Sequence, residues 1–149
     1  MLFTQDRRTL RRFYAEAWRK HNERLPLDPI EALIGDIVAI HPEYHAALNG
    51  SDKELDKDYL PENGETNPFL HLSLHAAIRE QIGADRPAGI RALHSELTAH
   101  YADQHHAEHA IMECLAESLW QAQRRHATPD ENAYLQCVRG RLSGASDQG

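Results

Sequence analysis

The sequence has few cysteines, no long apolar run and no excess of basic charge, and each shortage excludes a class of protein. Only two cysteines occur among the 149 residues, so neither a disulfide framework nor a cysteine-rich zinc site is expected. No apolar run reaches the roughly 18 residues of a membrane span, and the charged start MLFTQDRRTLRRF is unlike a secretion signal. We therefore expect a cytoplasmic protein with no membrane partner.

The charge balance disfavours nucleic acid as a partner. Sixteen basic residues face 23 acidic ones, which leaves a net charge of −7 and no field that would attract a phosphate backbone. A protein partner and a second copy of this chain both stay open. The one basic cluster should lie mostly in water and make no more than a surface contact; it consists of Arg7, Arg8, Arg11 and Arg12.

Prolines and capping residues divide the chain into helices. The first helix is predicted from about Thr4 to near Glu23. The second begins with Asp28 as its cap and Pro29 in its first turn, and a kink or break is expected at Pro42. Further helices are predicted from 68 to about 82, after residue 87, over about 104–125 and after the capping box at 128–131.

No segment shows the alternating pattern of a strand, so the predicted fold is all-α. We expect a single-domain bundle of five to six helices over residues 1–142, followed by a disordered tail at 143–149. The acidic stretch 51–67 is predicted to be one long surface loop with at most a turn of helix. Helical spacing places Leu70, Leu119 and Trp120 on apolar faces that point into the bundle.

Histidine is unusually abundant in this sequence. Its 11 copies outnumber tyrosine, phenylalanine and tryptophan together. Histidines four apart lie one above the other on a helix, so such a pair presents two imidazoles to one point. Three pairs have this spacing, and one glutamate continues the third: His41 and His45, His71 and His75, His105 and His109, then Glu113.

These pairs coincide with the apolar stripes of three predicted helices, which indicates that the imidazoles point inward. Inward imidazoles at this spacing are typical of a transition-metal site built between helices, and iron, zinc and nickel are the candidate ions. The strongest candidate ligands are His71, His75, His109 and Glu113, followed by His45. The break at Pro42 would displace His41, and His105 lies in the first turn of its helix, where His106 could replace it.

A second hypothesis explains the same histidines without a metal. Buried imidazoles also occur as members of hydrogen-bond networks with carboxylates and backbone carbonyls. The chain would then be a non-enzymatic interaction or scaffold protein. Glycine-rich phosphate loops, serine nucleophile elbows and HExxH are absent, and the two cysteines, Cys114 and Cys137, fall on different predicted helices without a basic context. The sequence does not define a reaction.

Three segments, HPEYH, TNPFLHLSLHAAIREQ and EHAIMECLAESLWQAQR, resemble a family of small proteobacterial proteins classed as a domain of unknown function. The resemblance extends from FTQDRR to about Arg141 and implies a small cytoplasmic bacterial protein with no assigned activity. Architecturally, the chain is also similar to hemerythrin- and DinB-like helical bundles, which combine HxxxH pairs with a single histidine. His71 with His75 and His109 with Glu113 carry that likeness, whereas the order of the motifs differs and the His-x4-Asp segment of hemerythrins has no counterpart.

Overall fold

The computed structural model describes residues 7–60, 62 and 64–144, and this part of the chain contains helices and no strand. The all-α prediction is confirmed. The described residues form eight helices rather than five or six: α1 (Arg7–Asn22), α2 (Pro29–Ala39), the 3₁₀ helix η1 (Pro42–Leu48), α3 (Asp52–Asp56), α4 (Pro68–Ala84), α5 (Ile90–Tyr101), α6 (Gln104–Arg125) and α7 (Glu131–Gly144).

Two of the eight helices, η1 and α3, were not predicted as separate helices. Because proline has no amide hydrogen and restricts the residue before it, α2 ends at Ala39 and a separate 3₁₀ helix begins at Pro42. In the acidic stretch, the hydroxyl of Ser51 accepts a hydrogen bond from the Glu54 amide at 3.3 Å and caps the short helix α3. The predicted long loop is therefore interrupted by a helix.

Both predicted ends of the chain extend beyond the described residues. The predicted start at Thr4 lies outside the described residues, and so do residues 145–149 of the predicted tail. Residues 143 and 144 belong to the last turn of α7, and the disordered tail stays a prediction. No helix in the described ranges combines the length and the apolar character that crossing a membrane requires.

The start of α2 follows the predicted capping box. The Asp28 carboxylate accepts from the Glu31 amide at 2.9 Å, and the Glu31 carboxylate accepts from the Asp28 amide at 3.0 Å. The Lys20 ammonium on α1 lies 2.8 Å from the same Glu31 carboxylate. The hydrogen bonds from Lys20 and from the Asp28 amide lower the pKa of Glu31 below its ordinary value.

Contacts divide the chain into two compact units, Met1–Ala76 and Ala77–Gly149, with the boundary inside α4. The predicted single domain over residues 1–142 stays a prediction. In the first unit, apolar side chains of α1, α2, η1 and the first turns of α4 form one core. Its buried members are Tyr14, Ala15, Ala17, Ile34, Ile37, Val38, Leu48, Phe69, Leu72 and Ala76.

Arg11 corrects the prediction that the basic cluster lies in water. Its side chain is buried, and Nη1 donates to the backbone carbonyls of Glu54, Leu55 and Lys57 at 3.3, 3.1 and 2.8 Å. The guanidinium also lies 4.8 Å from the centre of the Phe69 ring. Arg11 therefore satisfies carbonyl groups at the end of α3 that no further helical turn can reach.

Two further members of the basic cluster, Arg7 and Arg8, bind the chain's own acidic stretch. Arg7 lies 2.9 Å from the Asp58 carboxylate, and Arg8 reaches Asp52 at 2.9 Å and Asp56 at 2.5 Å. These surface ion pairs contribute little stability individually. Together with Arg11, they show that three of the four arginines contact the chain's own acidic stretch.

In the second unit, a disulfide joins two helices. The sulfur atoms of Cys114 on α6 and Cys137 on α7 are 2.14 Å apart, and their Cα atoms are separated by 5.8 Å. The sequence did not predict this disulfide, because a separation of 23 positions between cysteines on two helices does not indicate pairing.

Three side chains predicted to be in the core are exposed. Leu70 on α4 is 58% exposed, and Leu119 and Trp120 on α6 are 39% and 51% exposed. The helical-wheel prediction was wrong for these residues. A wheel shows which residues of a helix share a face, but it does not show which face packs against other helices. On α4 the neighbouring residues Phe69 and Leu72 are buried instead.

Candidate metal centre

The candidate site in the first unit begins with the HxxxH pair on α4. Asn67 starts this helix, since its side chain accepts from the amides of Phe69 and Leu70 at 2.9 and 3.2 Å. Four residues correspond to about one helical turn, so His71 and His75 lie on the same face. Their ring centres are 6.1 Å apart; His75 is completely buried and His71 is half-buried.

The third imidazole belongs to His41, which lies in the break between α2 and η1. With φ −125° and ψ 66° this residue leaves the helical path before Pro42, and its side chain becomes completely buried. Its Nδ1 is 2.8 Å from the Ile37 carbonyl oxygen, which can only accept, so Nδ1 carries the hydrogen and donates. In neutral His41 the lone pair is consequently on Nε2.

The imidazoles of α4 and of the break meet at one point. The Nε2 atoms of His41 and His71 are 3.1 Å apart, and ring nitrogens of His41, His71 and His75 all lie within 4.8 Å of one another. The His41 ring stands nearly perpendicular to the His75 ring, with 5.2 Å between their centres. Three nitrogens at this separation could hold a metal ion.

Tyr44 forms an aromatic wall of this cluster, a contact that sequence reasoning missed. Its ring stacks on His41 at 5.4 Å with an interplanar angle of 7°, and it meets the edge of His71, also at 5.4 Å. Burial raises the pKa of the Tyr44 hydroxyl. The only signal in the sequence was the position of Tyr44 on the stripe that contains His41, and that stripe could not show which ring it would contact.

His45, a predicted ligand, makes other contacts. Its Nε2 donates to the Val38 carbonyl at 2.9 Å, and its ring lies 4.5 Å from the Trp18 ring. The His21 ring is also stacked on Trp18, with 5.4 Å between the ring centres. A ligand role for His45 stays a prediction, and it would require Nδ1 because Nε2 is already bound to the backbone.

The remaining predicted ligands lie on α6 in the second unit. The rings of His105 and His109 are 4.2 Å apart, as expected for an HxxxH pair. The His105 amide donates to the Asp103 cap at 3.0 Å, which places His105 in the first turn as predicted. Glu113 is largely exposed and forms an ion pair with Arg141 at 2.7 Å, so a ligand role for this carboxylate would first require breaking that pair.

Glu108 is a buried carboxylate that the sequence analysis did not identify. Its carboxylate is 2% exposed and lies 3.1 Å from Arg79, 3.2 Å from His94 Nε2 and 2.8 Å from the Gln104 amide nitrogen. Three polar neighbours compensate the cost of burying this charge. A signal was present, since Glu108 precedes the buried residues Ile111, Met112 and Leu115 by three, four and seven positions.

A comparison with models of protein families identifies the family of this chain. The model of a family described as a domain of unknown function, DUF1841, matches residues 6–140, so the chain belongs to this family. This confirms the expected membership in a family without an assigned activity. Neither a search of curated proteins nor a search of solved structures found a match.

Proposed function

We propose that this member of the DUF1841 family binds one transition-metal ion through His41, His71 and His75. The observation that supports the proposal is the approach of three imidazoles, two of them completely buried, to within 4.8 Å of one another. His109 is kept from the sequence prediction as a further candidate ligand, because its pair with His105 repeats the spacing of His71 and His75. His45, His105 and Glu113 rank below these four.

The distance between the two Nε2 atoms fits shared coordination. For metal–nitrogen bonds of 2.0–2.1 Å, two ligands of one ion are about 2.9 Å apart at a right angle and about 3.4 Å apart at the tetrahedral angle. The observed 3.1 Å between His41 and His71 falls between these limits. The two rings could therefore bind one ion with little movement of either backbone.

The orientation of His41 also resembles that of a metal ligand. Ligating histidines commonly donate their second ring N–H to a carbonyl or carboxylate, which fixes the tautomer and directs the other nitrogen to the ion. The bond from His41 Nδ1 to Ile37 has this arrangement. Since Ile37 belongs to the last turns of α2, the helix itself holds the ring in place.

The ligand set favours zinc or nickel over iron. All three nitrogens are imidazole nitrogens, which suit borderline ions, whereas non-haem iron sites usually include a carboxylate. The carboxylate predicted for this role, Glu113, is paired with Arg141. We therefore rank zinc and nickel first and keep iron as the third candidate.

A hydrogen-bond network remains the second candidate function, and one observation favours it. The 3.1 Å between the Nε2 atoms of His41 and His71 is also a hydrogen-bond distance. Because His41 Nδ1 is the donor to Ile37, His71 would supply the hydrogen between the two rings. The chain would then be a scaffold whose histidines stabilise the fold without a metal.

Metal analysis of the untagged full chain tests the proposal. We expect about one zinc or nickel ion per chain after expression in metal-supplemented medium, and a melting temperature that falls when a strong chelator removes it. The H71A/H75A double variant should lose the ion. The matched control is H100A/H126N, which replaces two exposed histidines of the second unit that are not candidate ligands and should keep the metal content of the native chain.

Two outcomes would reject metal binding. One is a native chain without metal above background whose melting temperature does not respond to zinc, nickel or chelator. The other is equal metal loss in H71A/H75A and H100A/H126N, which would indicate adventitious surface binding. Circular dichroism of each variant shows whether the helices are intact, and the milder H71N variant replaces H71A/H75A if the double variant does not fold.

A further inference from the structure

The disulfide between α6 and α7 lies at the wall of a cleft. Cys114 and Cys137 both line this cleft, which has a volume of about 480 Å³ and is formed by the second half of α6 and the beginning of α7. Polar groups of α6, including Ser118, Gln121 and Arg125, line it as well. Clefts of this volume accommodate small molecules.

The two sulfur-bearing residues differ in exposure. Cys114 is 1% exposed, whereas Cys137 is only partly buried. Thiol–disulfide exchange requires a thiolate to reach one of the two sulfurs, so access determines which of them is attacked. Of the two cysteines that line the cleft, Cys137 is the more accessible residue and Cys114 is the sheltered one.

We propose that this disulfide is a thiol-exchange site at which a small thiol entering the cleft is joined to Cys137. The incoming thiolate forms a bond to the Cys137 sulfur, the Cys114–Cys137 bond breaks, and Cys114 leaves as a thiolate that takes up a proton. A second thiol then attacks the mixed disulfide. Two small thiols are thereby oxidised to their disulfide while the cystine is reduced to two cysteines.

The cleft suits a zwitterionic thiol of low molecular weight. Arg125 at its wall supplies a positive charge for a carboxylate, and Glu117 and Asp130 supply negative charge for an ammonium group. The hydroxyl of Ser118 and the amide of Gln121 supply hydrogen bonds. A large dithiol protein would have to bring its cysteine into the cleft past the turn between α6 and α7. Small thiols are therefore the class of reactant that this geometry favours.

Exchange would loosen α7 without releasing it. The Tyr134 hydroxyl on α7 donates to the Gln81 side chain at 2.6 Å, and Arg141 is bound to Glu113 on α6 at 2.7 Å. Both contacts are independent of the disulfide. The reduced chain should therefore stay folded, with α7 held in place by packing and polar contacts alone.

Reduced glutathione is a suitable probe for this site. The oxidised full chain is incubated with increasing concentrations, the reaction is stopped with acid, and peptides are mapped by mass spectrometry. We expect the first adduct at Cys137, with Cys114 as a free thiol. In the single variants, oxidised glutathione should modify Cys137 of C114S about tenfold faster or more than Cys114 of C137S, because rates follow access.

Three results would overturn this proposal. They are a first adduct at Cys114, reaction only at urea concentrations that unfold the chain, and two free thiols that air or oxidised glutathione fails to join. Near-native circular dichroism is required of both single variants. If either variant is unfolded, the position of the first adduct in the native sequence still decides the question. Metal content is unaffected in any of these outcomes, so the two proposals fail independently.

Discussion

Replacing Arg11 by methionine should destabilise the first unit markedly, although the substitution removes a charge from an apolar environment. Nη1 has two hydrogens for three carbonyl acceptors at 2.8 to 3.3 Å, so at most two strong bonds are lost. A hydrogen bond from a charged donor contributes about 1.5–3 kcal/mol, and the contact with Phe69 adds about 0.5–2 kcal/mol. Burial, which lowers the pKa of Arg11, opposes this because methionine has no charge to desolvate.

The net loss for R11M is therefore about 2–4 kcal/mol in the free energy of unfolding. Urea denaturation of the full chain, followed by circular dichroism, measures it as a lower midpoint with an unchanged slope. R12M is the matched control, since it removes the same charge from an exposed neighbour and should change the free energy by less than about 0.5 kcal/mol. Equal midpoints for R11M and R12M would refute the conclusion that Arg11 stabilises the fold by binding the carbonyl groups at the end of α3.

Two further predictions concern α1, α2 and α4. A Cβ at Gly35 would lie 2.7 Å from His21 Cδ2, so G35A should lower the free energy of unfolding by about 1–3 kcal/mol. A Cβ at Gly83 would meet nothing within 4 Å, so G83A should raise it by up to about 1 kcal/mol. Urea denaturation compares the two variants, and equal midpoints would contradict the close approach of Gly35 to His21. The pKa of Glu31 is lowered by Lys20, so its contribution is present above the unfolded value near 4.3 and is lost as the pH falls. The stability advantage of the native chain over E31Q should therefore be larger at about pH 7 than at about pH 3, and a constant difference would argue against the ion pair.

Helix boundaries were predictable because the signals that set them are local. The Asp28 and Pro29 pair and the break at Pro42 act through groups within a few residues of the boundary. Each was read from the sequence and is present in the structure. The same locality explains the error in the number of helices, since α3 is a single short turn whose stability depends on distant Arg11.

The orientation of side chains was less predictable because it depends on the rest of the fold. A helical wheel placed Leu70 and Trp120 inward, and both are at least half exposed. The expected break at Pro42 also placed His41 below His45 and the four strongest candidates, because it was expected to displace this residue. The break does displace it from the helical path, but the displacement turns its ring into the interior towards His71. A wheel has no means of representing a residue between two helices.

The two explanations of the histidine cluster differ in the position of one hydrogen. As a member of a network, His71 Nε2 must carry the hydrogen that lies between the two rings, because His41 uses its own hydrogen on Ile37. As a metal ligand, the same His71 nitrogen must present a lone pair, because an imidazole nitrogen that carries a hydrogen cannot coordinate an ion. One nitrogen cannot do both at once. The metal-bound chain and the hydrogen-bonded chain are therefore exclusive states of one arrangement, and metal content separates them even though the positions of the rings are nearly the same.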